Sequence, residues 1–192
     1  MLNRSGRREI FLQAPHQYYD LRTGRLVARL QAEGDMMAAF WNTAQRHVAA
    51  GCDLVHVDHT YLHAFTRAFQ QARPQGLIVQ IHGFAADKRD TLAGRTADMI
   101  ISDGTREPSP EAKAFAHCLS EHTRWQVRLF PHDVHELGAT TNTVAADLRQ
   151  QGNSRFIHWE LSAQARRELV GSAVRRGDVL ACLQHVQGEK PR

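Results

Sequence analysis

Three apolar segments of this chain each run straight into a residue that binds metal or moves protons. Gly76-Leu77-Ile78-Val79-Gln80-Ile81 delivers His82 and then Gly83. Arg155-Phe156-Ile157-His158-Trp159 delivers Glu160, followed by Leu161-Ser162. Glu9-Ile10-Phe11-Leu12-Gln13-Ala14-Pro15 delivers His16, with Asp20 four residues on. Short apolar runs rich in β-branched and aromatic residues, bounded by turn formers, read as buried strands. In open α/β sheets, ligands bind outside the carboxyl ends of the strands. Three such strands side by side would place His16, His82 and Glu160 along one sheet edge, the layout of a metal-dependent hydrolase.

The rest of the chain alternates in the same way. Leu26 to Asn42 is broadly helical, with an interruption near Gly34, and Thr60 to Ala72 repeats its apolar residues at helical spacing. Asp53-Leu54-Val55-His56 is a short apolar segment, expected as a strand end or an extended lead-in. Asp98 to Ser102 and Gln126 to Phe130 read as strands. Pro110 opens a helix through Leu119, at the first-turn position that proline tolerates. Val144 to Gln151 forms a short helix after the Leu137–Thr143 loop. Ser162 caps a terminal helix that runs to Gln187 and is weakened by Gly177. Strands alternating with helices predict a three-layer α/β/α sandwich with a mixed, mostly parallel central sheet. The length of 192 residues fits one catalytic domain, 1–192.

Composition excludes several alternatives. The net charge of +4 comes from scattered arginines without a lysine/arginine block, which argues against nucleic acid as a partner. No run of about 18 apolar residues exists to span a membrane. The basic first residues lack the apolar stretch of a signal peptide, so a cytoplasmic location is expected. Three cysteines, Cys52, Cys118 and Cys182, are odd in number, far apart and without a CxxC pair, so a disulfide is not expected. Twelve histidines, by contrast, raise the question of metal.

A hydrolytic zinc site keeps three protein ligands and one open position. His16, Asp20 and His82 supply two imidazoles and a carboxylate, and Glu160 supplies a general base for a metal-activated water. His56, Asp58, His59 and His63 form a competing cluster, with His59 and His63 at i, i+4. A polar helix face accounts for that spacing equally well, and His56 or His59 is the reserve ligand if Asp20 is not one. Arg46 and Arg166 are candidates to grip a substrate carboxylate or an oxyanion, because the guanidinium fork meets a carboxylate bidentately. Asn142 is a candidate substrate contact in a loop where a turn role would also explain it.

The ordered set Pro15-His16 with Asp20, Asn42-Thr43 with Arg46, Gln80-Ile81-His82-Gly83, and His158-Trp159-Glu160-Leu161-Ser162 with Arg166 resembles the N-formylglutamate amidohydrolase-like and zinc carboxypeptidase-like hydrolases. The resemblance covers about residues 10 to 170 and rests on short motifs. It implies an α/β/α fold, zinc held by His16, Asp20 and His82, Glu160 as catalytic base, and Asn42 with Arg46 beside the substrate. Two departures stand out. The spacing here is HxxxD where the carboxypeptidases have HxxE, and Gly83-Phe84 replaces the Cys-His-Ser-Met stretch of the amidohydrolases. The function expected is a zinc-dependent hydrolase cleaving an amide or peptide C–N bond next to a free carboxylate, on a small-molecule or peptide substrate. The alternatives are a metal-dependent esterase or phosphoesterase, or a non-catalytic binding module that keeps the fold.

Overall fold

A computed structural model describes residues 1–3 and 5–188. Its centre is a six-stranded sheet built from β1 (Arg8–Ala14), β2 (Met36–Trp41), β3 (Leu77–Phe84), β4 (Met99–Ser102), β5 (Val127–Leu129) and β6 (Phe156–Ser162), in the order β2-β1-β3-β6-β4-β5. The neighbours β2-β1, β1-β3 and β3-β6 pair in parallel, β4 is antiparallel to β6, and β5 is parallel to β4. The sheet is therefore mixed and mostly parallel, as the alternation predicts. From β1 the chain crosses to β2 on one side, then returns to β3 on the other. That reversal opens a crevice at the carboxyl ends of β1 and β3.

Helices cover both faces. On one face α1 (Thr23–Gly34), α4 (Pro110–His122), α6 (Ala163–Gly171) and α7 (Ala173–Gln187) share one apolar core with Ile10, Leu12, Val79, Ile81, Ile157, Trp159 and Leu161. On the other, α2 (Tyr61–Ala72) and α5 (Thr143–Gln150) pack on Phe11, Ile78 and Phe156. A short helix, α3 (Leu92–Thr96), lies near the β3–β4 connection.

Four expectations are corrected. The stretch from Leu26 to Asn42 is not one interrupted helix: Asp35 takes a left-handed conformation (φ 54°) that ends α1, and Met36–Trp41 pairs with β1 as an edge strand. Residues 54–56 form a turn rather than a strand end or an extended lead-in, although Leu54 and Val55 are buried. The terminal helix breaks at Ser172, whose side chain accepts from the Arg175 N–H and starts α7 afresh. Finally, Cys118 on α4 and Cys182 on α7 form a disulfide across 64 residues, leaving Cys52 as the free thiol. The two helices pack on the same face, which brings together cysteines that are remote in sequence. Among the described residues no helix is long and apolar enough to cross a membrane.

Candidate active site

Strand parity builds the site. The register pairs Gln80 with His158 and His82 with Glu160, and Gln13 on β1 pairs with Gln80. All five share the face opposite Trp159 and Ile81, because alternate residues of a strand point to alternate faces. Toward the carboxyl ends, the apolar residues of this face give way to a buried polar layer of Gln13, Gln80, His82, His158 and Glu160. Beyond β1, the turn 15–22 carries His16 and Asp20, both buried, across the same crevice.

The contacts fix ring orientations. His16 Nε2 lies 2.9 Å from Asp53 Oδ1, and Arg46 Nη1 lies 3.3 Å from His16 Nδ1. A guanidinium can only donate, so Nδ1 carries the lone pair and Nε2–H donates to Asp53. Arg46 is itself held by Asp53 Oδ2 through Nε at 3.1 Å and through Nη2. His82 Nδ1 lies 3.1 Å from Asp20 Oδ2, and its Nε2 lies 3.0 Å from Gln80 Oε1. Asp20 also accepts from the backbone N–H of Gly83. The His158 ring lies against that of His82, with centroids 4.7 Å apart. Its Nδ1 is 3.2 Å from Ser102 Oγ and its Nε2 is 3.7 Å from Glu160 Oε1. The other carboxylate oxygen of Glu160, Oε2, is buried and has no hydrogen-bond partner among the described residues.

Burial sets the protonation preferences. It raises Asp20 to about 6, and it raises Glu160, with help from the nearby Asp20 charge, to about 8. It lowers His16 and His82 to about 3 and drives His158 well below the usual imidazole range. Asp53 goes the other way: burial pushes it up, but hydrogen bonds from His56 and Arg46 outweigh that and hold it at about 2. The protein alone therefore disfavours charge on the inner groups and keeps one carboxylate, Asp53, ionised behind His16.

A cavity of about 350 Å³ opens over these groups, lined by His16, Arg46, His56, His82, His158 and Glu160 and closed by the 137–142 loop. Two groups of potential metal ligands occur among the described residues, His16–Asp20–His82 and His82–His158–Glu160, each with ligand atoms within 4.8 Å of one another. The residues expected from sequence largely converge here, with exceptions in their contacts. Asn142 lines the cavity, but its amide already bonds Ala145 N–H and Gln80. Asn42 sits outside the lining, bonding Ala44 N–H and Cys52 O. Arg166 is buried behind Gly83, where a Cβ would fall 1.8 Å from its Nη1. Gly83 thus makes room for an arginine.

The reserve cluster comes apart: His59 is exposed and precedes α2, so it shares no helix face with His63, and His56 bonds Asp53. Sequence reasoning missed His158, Gln80, Gln13 and Asp53. The signal for His158 and Gln80 was a pair of polar residues two apart, Gln80/His82 and His158/Glu160, within otherwise apolar strands, and for Gln13 a lone polar residue inside such a strand.

No protein-family model matches the sequence, and neither does any curated protein. Solved structures do match. The gene product Atu2144 of Agrobacterium tumefaciens superposes with a TM-score of 0.62 at 15% identity, over 94% of this chain and 91% of that one. N-formylglutamate amidohydrolase from Ralstonia eutropha JMP134 superposes with a TM-score of 0.56 at 12% identity, over 97% and 95% of the two chains. Across nearly its whole length, this chain has the fold of an N-formylglutamate amidohydrolase.

Proposed function

We propose that the chain is a zinc-dependent hydrolase that cleaves an amide or peptide C–N bond next to a free carboxylate. One observation carries the reading: two buried imidazoles and a carboxylate converge with no proton assigned between them. His16 Nδ1 carries a lone pair that accepts from Arg46 and lies 3.9 Å from Asp20 Oδ2, and His82 Nδ1 faces a carboxylate that can only accept when ionised. Two lone-pair donors 3.1 Å apart in a buried site repel unless a proton or a cation lies between them. His16, Asp20 and His82 fit a zinc ion in residue type, in number and in their outer contacts. Imidazole ligands usually donate their second N–H to a carboxylate or carbonyl, as His16 does to Asp53 and His82 to Gln80.

Zinc bound there would act as a Lewis acid toward water and the scissile carbonyl. Glu160, whose Oε2 has no partner among the described residues and whose ionised form a cation beside it would favour, takes the proton from the attacking water and gives it to the leaving amine. His158 Nε2 lies 3.7 Å from the other oxygen, beside the carboxylate in the cavity wall. Arg46, in the cavity wall, is the group for the substrate carboxylate, with Asn42 shaping the loop that carries it. Arg166 supplies positive charge that favours the ionised forms of Asp20 and Glu160. The activity for which the Ralstonia eutropha neighbour is named, on an N-formyl amino acid, agrees with a small anionic substrate. The esterase or phosphoesterase alternative calls for a second, separate metal site, and the second ligand group here shares His82 with the first.

The test is elemental analysis of the purified protein beside His16→Ala and His82→Ala, with turnover measured on a panel of N-acyl amino acids and short peptides. About one zinc per chain, lost in both variants, together with turnover on the panel, is the expected result. A protein that holds no metal and gains no stability from added zinc would turn the assignment toward a binding module.

A further inference from the structure

Beneath the candidate metal ligands runs a buried row of amides whose direction is fixed from one end. The backbone N–H of Ala145, in the first turn of α5, can only donate, and it donates to Asn142 Oδ1 at 3.0 Å. The Nδ2 of Asn142 must then point away, and it donates to Gln80 Oε1 at 2.6 Å. Gln80 Nε2 donates to Gln13 Oε1 at 2.9 Å, and Gln13 Nε2 donates to Thr66 Oγ1 at 2.8 Å. Gln80 is left presenting oxygen, not nitrogen, to His82 Nε2 at 3.0 Å. An acceptor at that position requires Nε2–H, and an imidazole that is neutral with its proton on Nε2 has its lone pair on Nδ1. Gln13, Gln80 and Asn142 are at most 3% exposed, so reversing any amide would strand buried polar groups.

We propose that Asn142 and Gln80 are positioning residues that set the tautomer of His82, carrying the polarity of the first turn of α5 to the Nδ1 lone pair that faces Asp20. The proposal rests on the reading of His82 as a metal ligand and names what prepares it. With the opposite tautomer, Nδ1–H would donate to Asp20, the pair would be satisfied by itself, and neither atom would be left for a metal. Asn142 acts through Gln80 rather than on the substrate.

Asn142→Asp tests this while keeping the helix cap, since a carboxylate still accepts from Ala145 N–H. The donor to Gln80 becomes an acceptor, so the Gln80 amide turns over and its NH₂ faces His82. Gln80→Leu removes the acceptor without adding charge and serves as the second variant, each checked for folding by thermal unfolding. Nitrogen-15 NMR of histidine-labelled protein, with His82 assigned by its loss in His82→Gln, distinguishes a protonated Nε2 from a bare one. Zinc affinity is read by competition with a chromophoric chelator.

The expected result is a protonated Nε2 in the unaltered protein and a bare one in Asn142→Asp, with zinc affinity lowered about 10- to 100-fold in both variants. A bare Nε2 in the unaltered protein, or a protonated one in Asn142→Asp, would overturn the relay. So would unchanged zinc affinity in two folded variants. If the unaltered protein binds no zinc while Nε2 behaves as stated, the metal reading fails and the relay stands.

Discussion

The two faces of the central sheet do different work with the same backbone. On β3, Leu77, Val79 and Ile81 enter the core beneath α1, α4, α6 and α7, whereas Ile78 is followed on the opposite face by Gln80 and His82. On β6, Ile157, Trp159 and Leu161 stand against Phe156, His158 and Glu160. The first face is apolar from end to end. The second is apolar only near the amino ends of the strands, where α2 and α5 cover it, and turns polar toward the crevice. The difference teaches that stability and chemistry are divided by residue parity, and a one-residue slip in register would exchange them. It also explains why the inner titratable groups are held far from their usual ranges. They occupy core positions, where burial without a partner penalises charge.

Neighbouring residues on β6 offer the sharpest way to break that comparison. Glu160→Gln removes the proposed base and should lower turnover about 10²- to 10⁴-fold. It should leave stability equal or higher, because it deletes a buried carboxylate whose Oε2 has no partner among the described residues. Trp159→Ala, one residue away and fully buried against Phe115, should cost about 3–5 kcal/mol in denaturant unfolding. The molecules that remain folded should still bind zinc. Parallel denaturation curves and steady-state rates on both variants decide it. A Glu160→Gln protein that unfolds as readily as Trp159→Ala would show that the polar face also carries the fold.

Gly83→Ala probes the contact between the end of β3 and Arg166 of α6. Arg166 starts on α6, beneath the apolar face, and its guanidinium passes over Gly83. A methyl group there forces that guanidinium aside, at a cost of about 1–3 kcal/mol for an overfilled site. Turnover should fall in step with that of Arg166→Lys. Unchanged turnover in Gly83→Ala would remove Arg166 from any part in the chemistry.

The sequence made the interior strands legible and the edge strand illegible, for a physical reason. Apolar runs such as Leu77–Ile81 and Phe156–Leu161 suit only a strand covered on both sides. Met36-Met37-Ala38-Ala39-Phe40-Trp41 mixes helix formers with aromatics, and pairing with β1 overrides its local preference. The disulfide escaped notice because Cys118 and Cys182 meet only when α4 packs on α7. In the site, His16, His82 and Glu160 could be named because each follows an apolar run. Gln13, Gln80 and His158 lie inside such runs, where a polar residue reads as an interruption until its strand neighbours are known. Asp53 comes from a loop whose position depends on tertiary contacts with Arg46 and His16.

The smallest expected difference concerns how the helices of each face are tied together. On the polar face Arg67 of α2 grips Asp147 of α5 through Nε at 2.8 Å and Nη2 at 2.5 Å. On the apolar face Arg176 of α7 grips Glu33 of α1 through Nε at 2.7 Å and Nη2 at 2.6 Å. Hydrogen bonds from the arginines hold both carboxyls below their ordinary ranges, 3.8 for Asp147 and 4.5 for Glu33. A carboxyl depressed in the folded state contributes stability that is present above its unfolded value and lost as pH falls through its folded one. Acid should therefore weaken both ties below about pH 4, and Glu33→Gln and Asp147→Asn should each flatten that acid limb of the unfolding profile. Arg176 also donates to the carbonyls of Leu169 and Val170, so its guanidinium stays bonded when Glu33 is neutral. Among the described residues, the Arg67 guanidinium makes no hydrogen bond besides those to Asp147. Asp147→Asn should consequently loosen α2 against α5, seen as faster amide exchange in those helices, while Glu33→Gln leaves exchange in α1 and α7 nearly unchanged. Equal exchange in the two variants would mean that the helices over the crevice are anchored as firmly as those over the apolar face, and that the division between the faces stops at the sheet.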